Sequence, residues 1–222
     1  SQKQILRARV AGSDSLFGAS VLVDGPTAIM GAPGARFFTA TDAGAAYVFV
    51  RESLSGDWRQ QQELTGSSPE ALAEFGGAVG LDAATTVIGA AKRNQGTSTD
   101  AGAAFTFVLE PLSDEISQET DVLTAADAAA DDGFGRAVGL SGDTTLIGIP
   151  AADPAGDVDA GEVSAFDRDP DTQVFDNEST LTADDKAASD NLGTAVSVDA
   201  DIAVIGAPNA EIAGDAGAGS AY

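Results

Sequence analysis

Apolar residues recur along this chain in short runs rather than at helical spacing. Ala19 to Val23 and Thr27 to Gly31 are two such runs, parted by Asp24-Gly25, a dipeptide suited to the positive φ of a tight hairpin. A third run, Tyr47 to Arg51, follows Gly44, and a fourth, Arg59 to Thr65, follows a polar loop. The pattern predicts four antiparallel strands, and it repeats. Phe17-Gly18, Phe75-Gly76, Phe134-Gly135 and Leu192-Gly193 stand 58, 59 and 58 residues apart, and Gly31-Ala32-Pro33, Gly89-Ala90-Ala91, Gly148-Ile149-Pro150 and Gly206-Ala207-Pro208 keep the same spacing. An Asp-Ala-Gly begins at Asp42, Asp100, Asp159 and, two residues early, at Asp215; a leucine precedes each Phe-Gly or Leu-Gly by 11 residues, at Leu6, Leu64, Leu123 and Leu181.

Four anchors in constant order mark a repeat protein built from one supersecondary unit. The expected fold is all-β: a β-propeller of four-stranded antiparallel blades with four repeats, either a four-bladed ring or part of a larger propeller. The whole of 1–222 reads as one domain, with repeats near 17–74, 75–133, 134–191 and 192–222, closed by 1–16. An open solenoid would need polar caps, and neither terminus offers one.

The first strand of each unit has a bulky phase (Val21 and Val23; Val79 and Leu81; Val138 and Leu140; Val196 and Val198) and a mostly small one that includes Ser20, Gly80, Gly139 and Ser197. Large on one blade is expected to meet small on the next. Burial of both faces also accounts for continuous apolar runs such as Ile202 to Ile205. The chain opens with a fourth-strand segment, Gln4 to Val10, and ends at Tyr222, in the phase of the third strands. The first segment is therefore expected to complete the last blade, which removes an exposed sheet edge.

Composition narrows the chemistry. With 11 basic and 35 acidic side chains the net charge is −24, which excludes a general nucleic-acid binder and disfavours docking on anionic lipid. Asp outnumbers Glu and lysine is limited to Lys3, Lys92 and Lys186, a balance that suits either salty surroundings or an acidic secreted protein. Cysteine and histidine are absent, so disulfides, thiolate nucleophiles, Cys/His zinc sites and imidazole bases are too. No apolar run reaches the roughly 20 residues of a membrane span, and Ser1 to Gly12 lacks the apolar core of a signal peptide, so no membrane insertion is expected.

Phe-Gly followed by Gly-Ala-Pro resembles the FG-GAP repeat, the blade of the integrin α-subunit propeller and of many bacterial surface and secreted proteins. Three copies also carry a Gly-x-x-Tyr/Phe third strand, at Gly44 to Tyr47, Gly102 to Phe105 and Gly219 to Tyr222; the third copy departs, with Ser164 in the aromatic slot. The resemblance implies a non-enzymatic propeller that binds or adheres, outside the cell, at the cell surface or in the periplasm. Known relatives usually have seven blades, against four units here. Integrin-type units often hold calcium in an acidic loop between the first two strands. The corresponding segments here, Asp24-Gly25, Asp82-Ala83, Ser141-Gly142-Asp143 and Asp199-Ala200-Asp201, carry one or two carboxylates, too few for an ion that takes six to eight oxygens. They read as hairpin turns of a calcium-poor variant, and no cofactor or metal is expected.

Candidate binding residues fall in the loops between second and third strands, which differ most between copies. They are Arg36, Phe37 and Phe38 in the first, Lys92, Arg93 and Asn94 in the second, Asp153 and Asp157 in the third, and Asn209 and Glu211 in the fourth. Phe37-Phe38 is either a partner contact or loop packing. Lys92-Arg93 suits an acidic glycan or the acidic patch of a neighbouring copy, unless it is simply solvated. Acids in the connections between blades (Asp127, Asp131, Asp132; Asp184, Asp185, Asp190) could gather calcium from adjacent loops, but solubility and capping explain them with fewer assumptions. Arg136 reaches toward the channel mouth or snorkels at a strand end, and Trp58 covers the blade rim. The reading is a binding or adhesion module for a protein or glycan; the other reading is a structural module that self-associates. An acid-base enzyme would need a carboxylate pair that the sequence cannot single out.

Overall fold

The structure, a computed structural model, describes residues 4–9, 12–83, 85–108 and 120–222. Strands β1 (Val21–Asp24), β2 (Thr27–Ala32), β3 (Ala45–Arg51) and β4 (Trp58–Leu64) make the first blade. The second holds β5 (Ala78–Asp82), β6 (Thr85–Ala90), β7 (Ala103–Val108) and β8 (Asp121–Leu123). The third holds β9 (Ala137–Ser141), β10 (Thr144–Ile149), β11 (Glu162–Arg168) and β12 (Phe175–Leu181); the last holds β13 (Ala195–Asp199), β14 (Ile202–Ala207) and β15 (Ser220–Ala221). Each sheet is an antiparallel meander in chain order, with four strands in three blades and three in the last. These are the propeller blades that the 58-residue period predicts.

Local chemistry explains the first hairpins. Asp24 pairs with Thr27, Asp82 with Thr85, Ser141 with Thr144 and Asp199 with Ile202, so two residues turn the chain in every blade. The first of them has positive φ, at Gly25, Ala83, Gly142 and Ala200. The flanking acceptors link blades. The Asp24 carboxylate accepts the Ala83 N–H at 2.8 Å, Asp82 accepts from Gly142, and the Ser141 hydroxyl accepts the Ala200 N–H at 3.0 Å.

Between blades, large meets small as the strand phases predict. A Cβ on Gly80 would stand 2.9 Å from Val138 Cγ1 and 3.2 Å from Leu140 Cβ, and one on Gly139 would lie 3.3 Å from Val198. Phe75, Phe134 and Leu192 are buried at the heads of their blades, each bridged in parallel to a glycine of the blade before: Gly44, Gly102 and Gly161. A side chain on Gly44 would collide with the Phe75 backbone, and its φ of +87° also demands glycine. Phe75 then packs edge-on against Phe105, with ring centroids 5.2 Å apart. Ser164, which breaks the aromatic pattern, is buried and donates to Glu178 at 2.7 Å.

One expectation is not met within the chain. The last sheet gains no fourth strand from the N-terminal segment, since β15 pairs with β14 and residues 4–9 form no strand. Gln4 instead brackets Trp58, accepting its N–H at 2.7 Å and donating to its carbonyl at 2.8 Å, while the Arg9 N–H donates to Gln60 at 2.7 Å. Leu6 and Ala8 pack with Phe17, Tyr47 and Phe49 on the first blade. Leu64 packs in the same manner with Phe75, Phe105 and Phe107 of the second. The segment thus occupies the place of a fourth strand belonging to a blade that would precede the first. Val10, its expected end, lies outside the described residues.

Candidate functional site: the loop face

Loops 33–44, 91–102, 150–161 and 208–219 each fold into a tight turn. Phe37 and Ala40 exchange backbone hydrogen bonds of 3.1 and 2.9 Å, as do Gln95 with Ser98 and Ile212 with Asp215. The third loop has a short 3-10 turn over Pro154–Gly156 at the same place. The turn places one residue of each loop in the left-handed region: Phe38 (φ 50), Gly96 (φ 59), Ala155 (φ 60) and Ala213 (φ 55). Further on, Asp42, Asp100 and Asp159 are left-handed as well, and their carbonyls accept N–H groups of Glu74, Gly133 and Asn191 in the next blade. In the fourth loop Gly217 (φ 68) holds that place. Asp215 therefore corresponds to Ala40 and Ser98, not to Asp42, which explains its early position.

These loops share a face with the connections between blades, to which they are tied. Leu72 donates to Thr41, Asp131 to Thr99 and Ser189 to Val158, each at 2.8 Å. On this face Phe38 is 85% exposed, whereas Phe37 is half-buried beneath it, ring centroids 4.8 Å apart and perpendicular. Arg36 beside them is exposed. Lys92 pairs with Glu74 at 2.7 Å, and that carboxylate holds its ammonium pKa above the usual value. Arg93 folds back, its guanidinium carbon 5.1 Å from the centre of the Phe105 ring. Asn94 is built into its loop, accepting the Asp100 N–H at 3.0 Å and donating to Glu70. Asp153 accepts the Asp159 N–H at 2.8 Å, and Asp157 donates its N–H to the Pro154 carbonyl at 3.3 Å. Asn209 donates to the Asn191 side chain at 2.7 Å, and Glu211 is exposed. The ten candidates thus all belong to loops of one face, but Arg36, Phe38 and Glu211 are the exposed ones without a structural task in the contacts described.

Between the second and third blades this face opens into a cleft of about 370 Å³, lined by Glu74, Lys92, Asp100, Asp131, Asp132 and Arg136. Asp132 is buried, and its carboxylate closes the preceding turn on the Ala129 N–H at 2.6 Å. Asp190 does the same with Ala187 at 2.7 Å, so one acid of each of these connections shapes backbone. Sequence reasoning passed over Glu162. It opens β11 where β3 and β7 begin with Ala45 and Ala103, and a charged residue in a slot of alanines is the signal that could have found it. It is buried, and burial first, with Asp127, Asp132 and Glu178 next, raises its pKa to about 7. Asp132 is raised in the same direction, mainly by burial.

The FG-GAP repeat profile matches residues 1–49, 58–107, 118–166 and 175–222. The chain belongs to the FG-GAP repeat family. Repeats of this family are typically extracellular adhesion or binding modules, and FG-GAP propellers are generally non-enzymatic. Among solved structures, Saccharomyces cerevisiae Sqt1 is similar at a TM-score of 0.47 and 10% identity, over 80% of this chain and 38% of Sqt1. No curated protein matches. Among the described residues of this FG-GAP chain, no helix is long and apolar enough to cross a membrane.

Proposed function

We propose that this FG-GAP protein is a non-enzymatic binding or adhesion module, working outside the cell or at its surface, that engages a protein or glycan through the loop face with Phe38 as its anchor. One observation carries this reading. A phenylalanine stands 85% exposed on left-handed backbone, at the turn position where the other three loops have Gly96, Ala155 and Ala213. Left-handed backbone costs a bulky residue on the order of 1 kcal/mol, and an exposed ring gains nothing from burial in return. A contact made by the ring supplies a reason for keeping it. Leu72, also exposed, is tied to the same loop through Thr41, and Arg36 adds a planar hydrogen-bond donor for carboxylates or sugar hydroxyls. Probing glycan and extracellular-protein arrays with the parent and with a Phe37→Ser/Phe38→Ser variant tests this. The parent binds a subset of features and the variant loses them; equal binding by both refutes the assignment.

A further inference from the structure

The loops of the face follow one backbone course, so residues at the same place in different blades are equivalent. Arg36 stands where the other loops hold Asn94, Asp153 and Glu211, and Phe38 where they hold Gly96, Ala155 and Ala213. In the connections between blades, Leu72 (φ 68) stands where Asp131 (φ 68) and Ser189 (φ 67) do, all three on left-handed backbone. A short polar residue suits that conformation, and a leucine does not. Three departures from the repeat, one cationic and two bulky and apolar, therefore gather at the first loop.

The backbone ties them to that loop. Leu72, 56% exposed, donates its N–H to the Thr41 carbonyl at 2.8 Å, three residues beyond Phe38. At the root of the same loop lies Leu16, whose Cγ would be 3.3 Å from a Cβ on Gly34. The equivalent contact is polar in the second and fourth blades, where Lys92 pairs with Glu74 and Asn209 donates to the Asn191 side chain, both at 2.7 Å. In the first blade it is apolar. Beside it the exposed Arg36 makes no hydrogen bond or ion pair among the described residues.

We infer that the occupant of this corner is a protein segment rather than a saccharide, one that sets an apolar side chain against Phe38 and Leu72 and a neighbouring carboxylate against Arg36. This rests on the loop-face function proposed above and narrows it. A sugar ring carries hydroxyls at nearly every edge, and a leucine can neither donate to them nor accept from them, so burial against Leu72 leaves them unsatisfied. An apolar side chain has the opposite balance, since its burial there removes apolar surface of both partners from water. Arg36 adds charge complementarity. A guanidinium on a chain of net charge −24, at a place where two other loops carry acids, selects a carboxylate and can hold it by two parallel hydrogen bonds.

Selection of a random peptide library displayed on phage against the immobilised parent tests this. Enriched peptides are expected to share an apolar residue beside an Asp or Glu, and synthetic copies should bind Leu72→Asp, Leu72→Ser and Arg36→Glu at least about 10-fold more weakly than the parent. All three variants should keep the parent's melting curve, because Asp131, Ser189 and Glu211 already stand at those places in other blades. Replacing the peptide's acid with lysine should restore binding to Arg36→Glu and weaken binding to the parent, a reversal that a structural role for Arg36 would not produce. The inference is overturned if no such peptides are enriched, if the Leu72 variants bind them like the parent, or if the charge exchange restores nothing. A glycan bound through Phe38 beside a library that yields no peptides overturns the inference and leaves the loop-face function standing. Peptides that bind Phe38→Ser as tightly as the parent overturn both.

Discussion

Phe38 is left-handed and 85% exposed, so its ring burdens the fold without contributing to the core. Phe38→Gly should therefore leave the stability unchanged or raise it by up to about 1 kcal/mol, measured by thermal unfolding. Gly89→Ala should behave oppositely, costing about 3 kcal/mol, because the new methyl would be driven into the Gly135 carbonyl, whereas Gly206→Ala, whose methyl would meet Ala195 at an ordinary 3.7 Å, should cost little. Glu162 gives a pH signature. Its pKa is about 7 in the fold against an ordinary value of 4.5, so the native state holds the proton more tightly than the unfolded one. Its favourable contribution is complete below pH 4.5 and is lost as pH rises through 7. Glu162→Gln should accordingly be more stable than the parent at pH 8, by up to roughly 3 kcal/mol, and the difference should vanish near pH 4. A constant gap across that range would mean that the carboxyl titrates normally.

Strand pairing was legible because the period is written in residues with backbone consequences: Phe-Gly at the head of each blade, and the glycine of Gly-Ala-Pro where a carbonyl of the next blade leaves no room for a Cβ. The hairpins were legible too, though the turn falls one residue later than Asp24-Gly25 suggests, leaving Asp24 free to bind the next blade. What stayed hidden depends on neighbours distant in sequence. No pattern disclosed that Arg93 lies over Phe105, that Glu162 is buried, or that Gln4 and Arg9 attach to the first blade. Arg168 is another such case. It joins blades by donating to Asp143 at 2.7 Å and to the buried Thr85 hydroxyl at 2.7 Å, with its guanidinium near the Phe175 ring. Arg168→Ala should cost about 2 kcal/mol, and Arg168→Lys should recover only part, because an ammonium lacks the planar fork that serves both partners. Full recovery by lysine in denaturant unfolding would show that the charge alone matters.

Taken together, the blades form a stack whose interior contacts repeat while its outward loops do not, a division of labour suited to recognition. Of the loop candidates, Arg93 folds back over Phe105, Asn94 is hydrogen-bonded into its own loop and Lys92 is paired, which leaves the first loop as the centre of the proposed contact. The strongly negative charge makes any partner engaged by Arg36 and Phe38 feel repulsion if it is itself acidic, so binding of such a partner should tighten with added salt. The decisive comparison is the affinity of parent and Phe38→Gly for the same array-selected partner, each at an identical folded fraction. The account predicts a loss of at least about 30-fold, equivalent to roughly 2 kcal/mol, with no loss of stability. Unchanged affinity in the stable variant would contradict it, and would remove the loop face as the binding surface.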